Sequence, residues 1–345
     1  MITVMIPVYN AEATITRALE SARLADMIIC VDDGSTDNSA QIIQRWNDLH
    51  GNVQYIYTKN HGAAHARNIG IANCKTEFIM FLDSDDTLSE NAISHFKSIA
   101  QQYSDKDIYI GRIEHVINGR STPIASHTYT EGETTLNDMP SILQSIGPGA
   151  KLYRTSQLTR FDEDIIYCEE HTFNIHMFMK QVYVTDYVVY YYYDTEGSIT
   201  KSYHQANQYL NDALIVRNRV YAMLEDADES VKQYYSYRMD ELIVSYLIKH
   251  TLNHRHNSTF ILEVIKYIQN MTNYPYRQES LNKITLFVDL YGTDDERHTL
   301  HEFLDNADIS LQHYILHNRV KGPLFIFKTR LKDIIKSIKN NRTSH

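Results

Sequence analysis

Cysteine is scarce in this 345-residue chain, and the three that occur, Cys30, Cys74 and Cys168, are scattered and odd in number. They exclude a disulfide framework and show no metal-ligand spacing, so they read as reduced thiols of a cytosolic protein. No apolar run approaches the roughly 18 residues that a membrane-spanning helix needs. The first residues enter a strand pattern at once, without the basic and then apolar leader of a secretory signal. Excess positive charge is missing too: the formal charge is −10, which argues against a general nucleic-acid binder. Helix breakers run out towards the end. Beyond Gly197 only Gly292 and Gly322 remain of 12 glycines, and only Pro275 and Pro323 of six prolines. That stretch carries apolar residues at helical spacing, such as Ile261, Val264, Ile265 and Ile268. It predicts a helical domain over residues 206–318.

What is present begins with a hydrophobic content of 43%, enough for a proper core. The first hundred residues alternate short β-branched or apolar runs (2–6, 27–31, 53–57, 77–82) with helix-like segments (11–24, 37–49, 62–74). This rhythm predicts an α/β fold with a parallel sheet covered on both faces. Residues 105–205 are more mixed, with strand patterns at 107–110 and 182–193. The tail 319–345 holds eight basic residues and one acid, so it carries +7 and the rest of the chain −17. Phe327, Leu331, Ile334, Ile335 and Ile338 fall on one helical face of that tail and lysines on the other. Such a segment suits either an anionic membrane surface or a docking contact with the protein body or a second copy.

Chemistry concentrates where the predicted strands end. The run Phe81-Leu82-Asp83-Ser84-Asp85-Asp86 leaves a buried strand and finishes in carboxylates. The carboxyl edge of an open α/β sheet is where such folds bind ligands. Crowded carboxylates need a compensating cation or donors, and all-oxygen ligation suits Mg²⁺ or Mn²⁺ bridging to a substrate's phosphates. The plain alternative is that Ser84, Asp85 or Asp86 caps the next helix. Three further strand ends share this pattern. Pro7-Val8-Tyr9-Asn10 makes a turn able to bring backbone groups to a base or ribose. Val31-Asp32-Asp33-Gly34-Ser35-Thr36-Asp37 pairs two carboxylates, of which one can accept the imide N–H of uracil. Asn60-His61-Gly62, leading to Ala66-Arg67-Asn68-Ile69-Gly70, opens a helix with small residues and turns N–H groups towards phosphate. Alternatively, it is a helix packed through Ala and Gly with Arg67 snorkelling. Glu169-Glu170 precede an amphipathic helix; they suit the helix dipole, and a carboxylate is also the usual base for a sugar hydroxyl.

Taken in order, these segments resemble family 2 glycosyltransferases, the inverting nucleotide-sugar enzymes of the GT-A fold. The matching stretches are P-x-Y-N at 7–10, V-D-D-G-S-x-D at 31–37, N-x-G-x-x-x-A-R-N-x-G at 60–70 and F-L-D-x-D-D at 81–86. Gly149-Ala150-Lys151-Leu152-Tyr153-Arg154 and Gly197-Ser198-Ile199-Thr200 add two more. The resemblance covers about residues 1–205. It implies a GT-A catalytic domain there, with a nucleotide-sugar half to about 105 and an acceptor half from 106. By the same resemblance Asp33 binds uracil, framed by Pro7 and Tyr9. Asn60, Gly62 and Arg67 contact the nucleotide, Asp83 and Ser84 lie at the ribose, and Asp85 is the main ligand of Mn²⁺ or Mg²⁺. His204 is a further metal candidate, and Lys151 and Ser202 are added site candidates.

The family's base is usually the Asp of an E-D pair. Here the pair is Glu169-Glu170, which gives Glu170 that role and leaves Glu169 as its rival. The family's Q-T/S stretch between the first helix and the second strand is absent. The expected reaction moves a sugar from a UDP-sugar to a hydroxyl of a bacterial surface glycopolymer or lipid-linked glycan, such as a polyol-phosphate teichoic acid or a capsule. One displacement inverts the anomeric centre. The expected setting is cytoplasmic, with peripheral contact to the inner membrane face through 319–345. Two other readings stand beside this one. A nucleotidyltransferase of related fold would need a Gly- and Arg-rich loop that is absent after Ile6. A catalytically inactive sugar-nucleotide-binding module would not need the intact acids.

Overall fold

The computed structural model describes residues 1–124, 129–193, 206–239 and 293–306, with single positions at 242, 285, 288 and 289. The chain divides into two compact units, Met1–Met239 and Asp240–His345.

The first unit is built on a ten-stranded sheet. Its amino-terminal part is parallel, with β1 (Ile2–Val8) lying between β2 (Met27–Asp32) and β4 (Phe78–Phe81), and β3 (Val53–Tyr57) outside β2. Ile2, Val4, Met5, Ile6 and Val8 are all buried. Both faces of β1 are therefore covered, and its sequence reads as a continuous apolar run rather than an alternation. Helices α1 (Ile15–Ser21), α2 (Ser39–His50) and α3 (Ala63–Asn73) fill the crossovers. Trp46 of α2 and Leu19 of α1 join Ile28 and Ile43 in the core beneath them. Helix α2 stops at Gly51, whose φ of +72° closes the last turn by donating to Asn47 O at 2.8 Å.

The sequence predicts most of these strands, including the start of β6 and all of β10, but not β9 between β4 and β6. Strand β9 (Lys151–Arg154) runs antiparallel between β4 and β6 (Ile108–Ile117). Strand β10 (Val182–Tyr193) runs parallel to β6. The two-residue β5 (Thr87–Leu88) and the short β8 (Gly132–Thr134) pair with β10, and β7 (Arg120–Pro123) forms a hairpin on β6. The expected strand break at Pro7 does not occur. Pro7 stays in β1 in register with Val31, and Asp33 N still donates to Val8 O at 2.8 Å. The first helix is shorter than its apolar pattern suggests, because residues 11–14 form a turn.

Helix α4 (Ala92–Gln102) buries Ile93, Phe96 and Ile99 in the same core. Helix α5 (Glu169–Phe178) contacts α6 (Ala206–Met223), and the unit that holds the sheet continues through α6 to Met239.

In the second unit the described helix spans Asp294–Asn306 and buries Leu300 and Leu304. Thr293 starts it with a reciprocal capping box. Its N–H donates to Glu296 Oε2 at 2.8 Å, and Glu296 N donates to Thr293 Oγ1 at 3.3 Å. Most of the expected helical domain, the tail 319–345, the Gly197–Thr200 stretch, Ser202 and His204 lie outside the described residues. Among the described residues no helix is long and apolar enough to cross a membrane.

Candidate active site

The strand order places β1 at the point where the chain first winds outward to β2 and β3 and then returns to β4. Crevices at such switch points lie at the carboxyl ends of the strands. The turns after β1 and β2 lock together there. Asn10, at a φ of +48°, accepts the Thr36 N–H at 2.8 Å and donates its own N–H to Ser35 Oγ at 2.9 Å. The two acids after β2 then divide their work. Asp32 is structural: buried, it accepts Ser35 N at 2.8 Å and the Tyr55 hydroxyl at 2.8 Å. Asp33, also buried, points to the next loop and accepts Gly62 N at 2.7 Å and His61 N at 3.0 Å. A carboxylate has about four acceptor positions, so both bonds leave room for a ligand donor. Gly34, with a φ of +83°, sits where a Cβ would stand 3.1 Å from Asn60 N, so the two loops meet backbone to backbone. Tyr9 is half exposed at the rim, Pro7 is partly buried below it, and Asn60 is exposed.

Arg67 ties the crevice together. One turn into α3 its guanidinium is buried, with Nη1 on Glu169 Oε1 at 2.8 Å and Nη2 on Asp83 Oδ1 at 3.0 Å. It is therefore not the snorkelling arginine of the structural alternative. It joins residues from three segments distant in sequence, and its pKa lies above the usual value because both carboxylates outweigh burial. Glu169 is the more enclosed of its pair, with 13% of the side chain exposed against 23% for Glu170. Burial first and the Glu170 carboxylate second push Glu169 up to about 8 against the pull of Arg67. Glu169 thus holds a proton more tightly than a lone glutamate does.

The next residue on α3 fixes the loop before the pair. The Asn68 side chain accepts Phe161 N at 2.8 Å and donates to Phe161 O at 2.9 Å. Its amide also reaches Glu163, which takes His65 at 2.8 Å. Bonds from His65, Asn68 and Arg160 hold Glu163 down at about 2.

The aspartate run after β4 splits by direction. Asp86 turns inward, accepting the Tyr190 hydroxyl at 2.7 Å and Tyr193 N at 2.8 Å. Burial, and then the charge of Asp83, raise it to about 8. Tyr190 also accepts Asp83 N at 3.2 Å, so β10 braces the turn from below. The capping alternative is not realised: α4 begins at Asn91 without a side-chain cap. Arg17 of α1 donates to the backbone oxygen of Asp85 and lies 3.8 Å from the centre of the Tyr193 ring. Asp83 keeps 40% of its side chain exposed, and Ser84 and Asp85 are partly buried. Asp83 and Asp85 offer hard oxygen donors, which suit Mg²⁺ or Mn²⁺. Among the described residues no group of three or more His, Cys, Asp or Glu could hold an ion by itself. Among the described residues a cation beside Asp83 and Asp85 would need further donors, such as the oxygens of a bound diphosphate.

Lys151 lies behind the glutamates. Its buried ammonium donates to Ser145 Oγ at 2.9 Å, Gly147 O at 2.6 Å and Gly149 O at 3.0 Å, so its three donors staple the 145–149 loop. Burial lowers it to about 7, with Glu170 pulling the other way. Arg17, Tyr190 and the α6 residues that touch the 161–168 loop escape sequence reasoning. None belongs to a motif, and each acts on a residue far away in the chain.

Comparison with known proteins adds four findings. Residues 3–166 match the family described as Glycosyl transferase family 2. The chain is 30% identical over 246 residues to the poly(ribitol-phosphate) beta-glucosyltransferase of Bacillus spizizenii, covering 67% of this chain and 37% of that protein. It is 31% identical over 175 residues to the poly(ribitol-phosphate) beta-N-acetylglucosaminyltransferase TarS of Staphylococcus aureus, covering 49% of this chain and 30% of that protein. The chain thus spans well under half the length of these curated relatives. The fold matches the crystal structure of S. aureus TarS 1-349 in complex with UDP-GlcNAc at a TM-score of 0.61 and 22% identity, over 89% of this chain and 92% of that one. That likeness identifies the mostly parallel sheet flanked by helices as the fold of that structure.

Proposed function

The chain carries a glycosyl transferase family 2 domain, and from that premise we propose that it moves a hexosyl or N-acetylhexosaminyl group from a UDP-sugar to a hydroxyl of a polyol-phosphate wall polymer. The named activities of the two poly(ribitol-phosphate) relatives support the acceptor class. The observation that carries the donor class is the Arg67 bridge. It draws Asp83 and the glutamate pair to the same switch-point crevice where Asp33 orders the loop before α3.

In this reading Asp33 takes the uracil N–H beside Pro7 and Tyr9. The Asn60–Gly62 loop and the start of α3 face the diphosphate, and Arg67 adds positive charge beneath it. Asp83 and Ser84 receive the ribose. Asp85, with Asp83 and diphosphate oxygens, would hold Mn²⁺ or Mg²⁺, whose charge would offset that developing on the leaving diphosphate.

The chain's own chemistry lies on the opposite side of the crevice. Glu170 is the more exposed member of the pair, and we assign it the proton of the acceptor hydroxyl. Arg67 holds Glu169 in place beside it, so the pair enters the crevice in one fixed arrangement. Attack by the acceptor oxygen on the face opposite the diphosphate inverts the anomeric centre and yields a β-glycoside from an α-linked donor.

Glu170→Gln tests this assignment. The amide keeps the shape but cannot take a proton, so transfer should fall by roughly 10²–10⁴-fold. UDP affinity by calorimetry should stay unchanged. Wild-type transfer in Glu170→Gln together with an inactive Glu169→Gln would hand the role to Glu169. Asp85→Ala, titrated with UDP in Mn²⁺ and in EDTA, tests the cation. Equal UDP affinity in the two solutions for both proteins refutes a metal at Asp85.

A further inference from the structure

The segment that carries the glutamate pair is irregular from Phe161 to Cys168, yet it is hydrogen-bonded from two sides. On one side Asn68 and His65 of α3 hold Phe161 and Glu163. On the other side α6, which lies outside the family match at 3–166, holds the rest. Asp212 is buried on α6, and its Oδ2 accepts two successive backbone N–H groups, Ile166 at 3.0 Å and Tyr167 at 3.1 Å. Gln208, one turn earlier, donates to Asp212 Oδ1 at 2.7 Å and fixes the carboxylate from behind. Two turns after Asp212, Arg219 grips Asp164 at 2.6 and 3.0 Å and Asp162 at 2.8 Å. Tyr209 sets its ring edge against Tyr167, with centres 5.1 Å apart.

These contacts end where geometry is most demanding. Cys168 follows directly, in the left-handed region at a φ of +63°, and it delivers the chain into α5 at Glu169. A non-glycine residue rarely adopts that conformation and keeps it only when its surroundings impose it. The two amide bonds to Asp212 lie immediately before it.

We propose that Asp212 is a positioning residue for the glutamate pair, and that α6, through Asp212 and Arg219, is a working part of the transfer site. The proposal rests on the assignment of the base to Glu169-Glu170. A charged acceptor shared by two backbone N–H groups makes strong, directional bonds. A shift of about 1 Å at a reacting group is enough to lower a rate by about 10²-fold. Among the described residues Asp33 is held to the 61–62 backbone and Asp83 to Arg67, and Asp212 bonds neither. Its loss therefore acts on turnover and spares nucleotide binding.

The test uses the full chain with Asp212→Ala, Asp212→Asn and Arg219→Gln. Asp212→Ala should lower kcat about 100-fold while the UDP Kd stays within about twofold. Asp212→Asn keeps an oxygen for the two amides and should recover to within about tenfold of wild type. Deuterium exchange of peptides spanning 162–172 should speed up in Asp212→Ala and leave peptides spanning 60–70 unchanged. Wild-type kcat in a folded Asp212→Ala overturns the proposal, and so do equal losses in kcat and UDP affinity. If Asp212→Ala does not fold, Arg219→Gln decides: a drop in kcat at constant UDP Kd supports the proposal, and wild-type kcat refutes it. The reading beneath fails separately, by full activity in both Glu170→Gln and Glu169→Gln, and the exchange data then still report whether Asp212 orders the loop.

Discussion

Arg67→Met removes the one guanidinium shared by Asp83 and Glu169 while keeping most of the apolar stem against Phe161. Leaving partly buried carboxylates without their partner costs about 3–5 kcal/mol when they are ionised. The pH dependence separates the two partners. Glu169 is raised from 4.5 to about 8 in the folded chain. The fold therefore binds an extra proton between those values, and wild-type stability falls as pH rises through that window and levels off above about 8. Without Arg67 the folded pKa rises further, so the variant keeps losing stability where wild type has levelled. Each additional pH unit widens the gap by about 1.4 kcal/mol per proton, or roughly 2 kcal/mol by about pH 9.5. Below about pH 6 the proton on Glu169 does part of the work of Arg67, and the gap shrinks towards the share owed to Asp83. Urea unfolding at about pH 6 and about pH 9.5 measures this. The single tryptophan, Trp46, is buried on α2 against His50 and reports the unit that holds the sheet. A gap that is equal at both pH values, or larger in acid, refutes the picture of a proton-holding pair restrained by Arg67.

Two other perturbations follow from the geometry. Arg17→Ala removes the donor to the Asp85 carbonyl and its stacking on Tyr193. The Mn²⁺ concentration for half-maximal UDP binding should rise several-fold while melting temperature barely moves; an unchanged Mn²⁺ midpoint removes Arg17 from the site. Gly70→Ala would place a Cβ 2.3 Å from Met5 Cγ, so α3 must lift off β1. A cost of about 1–3 kcal/mol is expected in denaturant unfolding, and neutrality would mean that Met5 has another rotamer open to it.

The local pattern alone determined much of this protein. Apolar runs closed by Asp33 and by Asp83 to Asp86, with small residues opening the helix after Asn60, specify a parallel sheet with a charged carboxyl edge. A strand's burial and its end are written in consecutive residues, so they can be read one segment at a time.

What those residues do to one another was decided only by tertiary structure. Apart from the family resemblance, sequence could not divide Asp32 from Asp33, because one bonds Tyr55 and the other the Gly62 backbone, and both partners come from elsewhere in the chain. Nor could it tell Asp86, bound to Tyr190 across 104 positions, from its neighbours. Nor does the motif around Lys151 show that its three donors go to Ser145, Gly147 and Gly149. Arg67 and the glutamate pair lie about a hundred positions apart, and only the docking of α3 against the 161–168 loop brings them to 2.8 Å. Hydrogen bonds and charge depend on distances of a few ångströms. Chain order sets those distances within one strand or helix, and packing sets them everywhere else.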